Sequence, residues 1–244
     1  MKKANEEQAT KFAGVFVEHH KLLTSAPSSE IQWAIQNPQD AIALFVLALV
    51  NRGKQVGEQI VETAKQIVKR TLTPWKIIQV GDTTTEKLLE TVEKTGREIS
   101  PNARDLTTKP AFKIAEKPEQ VNLVILTPRE LGFTRNPRTD AFLTKEFCAK
   151  WSVENLQGQV IELCEPEDGP QLASQHPDQP NGEILWMAME RITDSDGNPD
   201  VFRVGRRGGG ELWLGAGWAR PGDEWNLDAR IVFRFRTVTL PSAV

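Results

Sequence analysis

From Arg230 to Val238 the chain alternates. Ile231, Phe233 and Phe235 fall on one face of an extended segment; Arg230, Arg234 and Arg236, with Val232 among them, fall on the other. Period-two alternation predicts a half-buried strand, phenyl rings in the core and guanidinium groups in water. Ile184 to Ile192 differs. Ile184, Trp186 and Ala188 alternate with Leu185, Met187 and Met189, so both faces are apolar and a strand covered on both sides is predicted. Asp, Asn, Gly and Pro cluster over Thr193–Asp200, where Asx side chains bond their own backbone and Gly takes positive φ, so a hairpin loop is expected there. Gly208–Gly210 and Arg220–Asp223 mark two more reversals. Together these segments read as an antiparallel meander of about four strands.

Upstream the period changes to that of a helix. Phe12, Val15, Phe16, His19, Leu22 and Leu23 recur at helical spacing, and Asn37-Pro38 offers a cap followed by proline at the first helical position. Val56, Ile60, Ala64, Ile67 and Val68 form a second set that Thr73-Pro74 stops. Trp75–Val80 reads as a short strand. Thr83–Glu86 reads as a capping box opening a helix through Leu88, Leu89 and Val92 that Gly96 closes. Arg97–Gln120, polar and broken by three prolines, reads as a connector. Val121–Leu126 is a buried strand, Thr127–Glu130 a second capping box, Thr139 to about Glu154 a helix, Gln159–Cys164 a strand, and Glu165–Gly182 a polar loop with four prolines. The expected fold is α+β: a helical N-terminal segment (1–72), a small strand–helix unit with connector (73–120), and a mixed unit ending in an antiparallel sheet (121–244).

Charge narrows the class. The net charge of −3 implies no general affinity for polyanions or membrane surfaces. Its distribution is uneven: residues 111–200 hold eight Lys/Arg against sixteen Asp/Glu, and residues 201–244 hold seven against four. A local anion site, or pairing of the two halves within one unit, follows. Two cysteines, Cys148 and Cys164, make neither a disulfide framework nor a metal-ligand set and read as buried thiols. The most apolar run, Ala41–Val50, falls short of the roughly twenty residues a membrane span needs, and Glu6 and Glu7 interrupt any leader. A cytoplasmic protein with no membrane partner and no cofactor is the expectation.

The strings LGF (131–133), GQVIELC (158–164), GPQL (169–172), MERITDSDGNPDVF (189–202), LWL (212–214) and VFRFR (232–236) resemble a family of hypothetical proteins met in genomes of uncultured bacteria, the string from Met189 to Phe202 most specifically. The resemblance spans about Trp75 to Arg236. It carries no assigned activity and implies only that this block folds as one unit.

Candidate chemistry is concentrated late in the chain. Arg203, Arg206, Arg207, Arg234 and Arg236 are interleaved with Trp213 and Trp218; cationic forks suit phosphates and aromatic faces suit stacked bases. Against that stands cross-strand pairing of the arginines with Glu190, Glu211 and Glu224, and Trp serving as core. Asp194, Asp196, Asn198 and Asp200 place oxygens at every second position, as a calcium loop does, although glycine is early and no glutamate closes the loop. Glu162, Glu165, Glu167 and Asp168 with Asp194 and Asp196 are the acids a metal-assisted, phosphodiesterase-like hydrolase would use. No Walker, GxSxG or HExxH motif occurs. The leading expectation is a non-enzymatic binding module for nucleic acid or a protein partner. The hydrolase is second. Self-association through the N-terminal helices is third.

Overall fold

The computed structural model describes residues 69–238. The expected N-terminal helices, and the self-association surface they would form, lie outside the described residues. Nine strands make one mixed sheet in the order β1 (Lys76–Val80), β3 (Glu119–Leu126), β9 (Arg230–Thr237), β5 (Ile184–Met187), β7 (Pro199–Arg206), β8 (Leu212–Trp218), β2 (Glu98–Ile99). In addition β4 (Gln159–Glu162) pairs with β9, and β6 (Ile192–Thr193) pairs with β7. The class is α+β, with strands of residues 76–99 and 119–237 in the same sheet. That sheet is mixed rather than antiparallel: β5 runs parallel to β9, and β2 parallel to β8.

The expected meander is present from β5 to β8 and ends there. The turn at Arg220–Asp223 forms, with Asp223 N–H bonded to Arg220 O, but the chain does not return along β8. It crosses back to the middle of the sheet, where β9 lies between β3 on one edge and, on the other, β5 and then β4. Central placement changes the environment of its side chains. Ile231, Phe233 and Phe235 are buried as the alternation predicts, but Val232 on the opposite face is buried too, and Arg234 is only 16% exposed. The expectation of a wet arginine face is corrected: this strand has no face wholly in water.

Helices cover the sheet. Register places Leu123, Ile78, Leu185, Met187, Phe202, Val204 and Leu214 on the face shared with Arg234. Packed against that side are α1 (Thr85–Lys94) and α5 (Asp168–Gln175), with α2 (Pro101–Thr107) against β8. Two of these sit where the sequence suggests only loop. Ser100 caps α2 by accepting from Ala103 N–H, with Pro101 first in the helix. Helix α5 starts Asp168-Gly169-Pro170 and is buried from Asp168 through Ala173. Gly169 lets it touch Phe202, since a β-carbon there would meet that side chain at 2.7–3.2 Å. On the other face, α3 (Thr139–Phe142) and α4 (Lys145–Asn155) replace the single helix expected from Thr139, because Thr144 interrupts it and caps α4 through Phe147 N–H. The cap of α1 falls one residue later than expected, on Thr84. Thr127 and Glu130 do bond each other's backbone N–H groups, at 3.2 and 2.7 Å, but close a turn rather than open a helix.

Candidate functional site

The second face of the sheet is paved at its β5–β7–β8 end by two indoles and a guanidinium. Trp186 of β5 lies directly across from Arg203 of β7, which lies across from Gly215 of β8; Gly205 of β7 lies across from Trp213. The Arg203 guanidinium is 4.7 Å from the Trp186 ring centre and 5.6 Å from that of Trp213. Three glycines make this arrangement possible. A β-carbon on Gly205 would collide with the Trp213 ring, one on Gly215 would touch the same ring, and one on Gly217 would meet Arg203 and Trp186. The rings lie flat against bare backbone.

Around this platform opens a groove of about 660 Å³ lined by Arg203, Arg206, Arg207, Trp213, Ser100 and Asn102 among others. Among the described residues, three that line it are arginines and none is a carboxylate. The arginines are held mostly by neutral oxygens. Arg203 donates to Ala216 O at 2.8 Å, and its Nε is buried with no partner among the described residues. Arg206 donates from Nε to Gly210 O and from Nη1 to Gln179 O. Among the described residues, of these three only Arg207 meets a carboxylate, Glu98 at 2.9 Å, where both side chains are exposed and screened. Burial lowers the Arg203 pKa, with the charge of Asp200 opposing.

A further cation stands behind the groove. Arg97 is 2% exposed and has no carboxylate partner among the described residues; it donates to Ala173 O, Gln179 Oε1, Gly205 O, Trp213 O and His176 O at 2.9–3.1 Å. It ties α5, β7 and β8 together below Trp213. Burial, aided by the charge of Arg206, pulls its pKa down to about 10, so it remains protonated at neutral pH. In the sequence this residue falls in a connector, and nothing local marks it: it precedes a two-residue strand of which only Ile99 is buried.

The remaining sequence candidates are dispersed. Arg234 forks onto the fully buried Asp168 at 2.5 and 2.7 Å, and Arg236 pairs with Glu162 at 2.8 Å. Both line a second cavity of about 530 Å³ beside β4. Trp218 is 56% exposed with Arg220 stacked 4.4 Å above it, on the opposite face of β8 from Trp213. The acid set diverges: Glu167 accepts Gly81 and Ala115 N–H, Asp168 is taken by Arg234, and Glu162 by Arg236. In the hairpin loop, one oxygen of Asp194 accepts both Asp196 and Asn198 N–H, the other faces the Asn198 amide, and Asn198 Oδ1 accepts from Arg220. Asp200 has turned into the core, where both oxygens lack partners among the described residues. Of the loop set Asp194, Asp196, Asn198 and Asp200, Asp194 and Asn198 are thus engaged within the loop and with Arg220 while Asp200 is in the core, and no cluster of three or more His, Cys, Asp or Glu able to hold a metal occurs among the described residues. No helix of the described residues is long and apolar enough to cross a membrane.

Comparison of the chain with protein-family models, with curated proteins and with solved structures gives no match.

Proposed function

We propose that the Trp–Arg face of β5, β7 and β8 binds the phosphate backbone of single-stranded nucleic acid, with a base stacked on Trp213. The observation that carries the reading is the groove's lining: Arg203, Arg206 and Arg207 with an indole, and no carboxylate. Arg203 and Arg206, already fixed by carbonyls, lose little entropy on meeting a phosphate and have no carboxylate partner among the described residues, while Arg207 has only the exposed, screened Glu98 to give up. An indole adds a flat surface that accepts any base. Ser100 and Asn102 supply neutral hydrogen-bonding groups on the same wall. An overall charge of −3 confines the attraction to this face.

The test is anisotropy of a labelled oligothymidylate titrated with the full chain over a range of salt. Three phosphate contacts on a single strand give a log–log salt slope of about −2. Arg206→Gln with Arg207→Gln should lower that slope to about −0.7 and weaken binding at low salt. Arg236→Gln, on the other cavity, should leave both unchanged. Absence of binding at low salt, or binding that ignores the Arg206/Arg207 pair, removes the proposal.

A further inference from the structure

The cavity beside β4 differs in character from the groove, and we infer that it is a binding site for a small zwitterion, an aliphatic α-amino acid. It is lined by cations and carboxylates in near balance: Lys145, Arg191, Arg234 and Arg236 against Glu162, Glu165 and Glu190. Its volume of about 530 Å³ falls within the range of small-ligand sites.

Two arginines are preset at this wall. Arg234 gives Nε and Nη2 to Asp168, and Arg236 gives Nε to Glu162. These residues are two apart on β9 and share a face. Among the described residues no hydrogen bond engages Nη1 of Arg234 or either Nη of Arg236, and neither arginine is fully buried. Their free N–H groups can take a carboxylate. Glu165 lines the same cavity, and its carboxylate has no hydrogen-bond partner among the described residues; only its backbone is used, its N–H donating to the Asp168 carboxylate and its carbonyl accepting the Asp168 N–H. Lys145, by contrast, is occupied by Glu190 at 2.6 Å. Glu165 is close enough to Arg234 to add to the electrostatic stabilisation of its cationic form.

An unengaged carboxylate beside unengaged guanidinium N–H groups disfavours a dianion such as phosphate, which would be repelled by Glu165. It favours a ligand carrying both signs a few bonds apart, carboxylate on the Arg234–Arg236 pair and ammonium on Glu165. The rest of the wall includes Ala149, Val160, Leu163 and Ile192, which suit an aliphatic side chain. The site shares no lining residue with the groove, so it stands or falls separately from nucleic-acid binding.

Calorimetric titration of the full chain with L-leucine, 4-methylpentanoate (which lacks the amine) and 3-methylbutylamine (which lacks the carboxylate) tests it. Leucine should bind, with each truncated probe at least about tenfold weaker. Glu165→Gln, which breaks no side-chain bond of the fold, should weaken leucine by about tenfold while leaving 4-methylpentanoate unchanged. Arg236→Gln should weaken leucine and 4-methylpentanoate alike. Unfolding curves establish that both variants fold. The inference is overturned if leucine shows no binding at about 10 mM, if 4-methylpentanoate binds as well as leucine, or if Glu165→Gln leaves leucine affinity intact.

Discussion

The arginines of β9 and those of β7 are the same residue type on two strands of one sheet, and they end in opposite electrostatic states. On β9 each has a carboxylate: Arg230 with Glu183, Arg234 with Asp168, Arg236 with Glu162. On β7, Arg203 and Arg206 are held by carbonyl oxygens and indole faces, and Arg97 behind them by carbonyl and amide oxygens alone. Carboxylates cancel the charge they fix. Carbonyls fix the group and leave its charge in place. The same strand chemistry therefore produces a neutralised centre and a positive end, and only the second is suited to attract a polyanion.

Breaking the carboxylate-held side should have the largest effect. Arg234→Ala leaves Asp168 fully buried without its fork, so that it must either hold an unpaired charge or take up a proton, and should cost about 3–5 kcal/mol of unfolding free energy in urea titration. Replacing both, Arg234→Met with Asp168→Asn, should recover most of that loss, because the pair's attraction mainly offsets its own desolvation. Without that recovery, Arg234 would have to stabilise the fold by something other than its partner.

On the carbonyl-held side, Arg97→Met removes one cation and strands five acceptors drawn from α5, β7, β8 and the segment around Gln179. A loss of about 3 kcal/mol is expected, since hydrogen bonds to charged groups are each stronger than neutral ones and the orphaned carbonyls stay buried. The comparison sharpens if this loss is insensitive to pH across the carboxylate range while that of Arg234→Ala shrinks as pH falls, because only the second change leaves a carboxylate, the buried Asp168, without its cation.

These two residues also show what a sequence discloses. The β9 strand was legible because its alternation is local, and so were β1, β3, β7, β8 and the Thr193–Asp200 turn. Its covered arginine face was not, because that depends on where β9 is inserted, and its parallel pairing with β5 joins Leu185 to Arg230 across more than forty residues. Helix α5 was hidden by four prolines and a glycine; what stabilises it is tertiary, Asp168 on Arg234 and Gly169 on Phe202. Of the candidate site, Arg203, Arg206, Arg207 and Trp213 came together around one groove, while Arg234, Arg236 and Trp218 went elsewhere. Nothing local distinguishes an arginine that will meet a carbonyl from one that will meet a carboxylate.

Asp200 adds a carboxylate that neither set of arginines satisfies. Its oxygens have no hydrogen-bond partner among the described residues, and burial, reinforced by the charge of Asp194, pushes its pKa up to about 6 from 3.8, against the pull of Arg203 and Arg220. A carboxyl raised in the fold binds its proton longer there than in the unfolded chain. Its contribution is thus fully present below about pH 4 and is lost as pH rises through about 6. Asp200→Asn keeps the shape without the charge. Relative to the parent, it should be unchanged near pH 4 and gain about 2 kcal/mol above pH 7, the difference growing between those limits. A flat difference across that window would mean that Asp200 finds a cation in solution.

The smallest expected effect is the most informative about the platform itself. Gly205→Ala puts one methyl where the Trp213 ring lies. Gly205 is an ordinary strand residue with no positive φ, so the backbone tolerates alanine and the whole cost is steric. Overpacking of this kind costs about 1–3 kcal/mol, and the low end applies because Trp213 is partly exposed and can lift away. Lifting the ring would move it off Arg203, now 5.6 Å from its centre, and so separate the two elements of the proposed binding face without altering any charge. Tryptophan emission should shift to longer wavelength while the salt slope of oligonucleotide binding stays the same and affinity falls by the contribution of one stacked base, about 1 kcal/mol or more. A change in slope instead would show that the guanidinium groups depend on the indole for their position. The cationic half of the comparison would then rest on Trp213 as much as on the carbonyls.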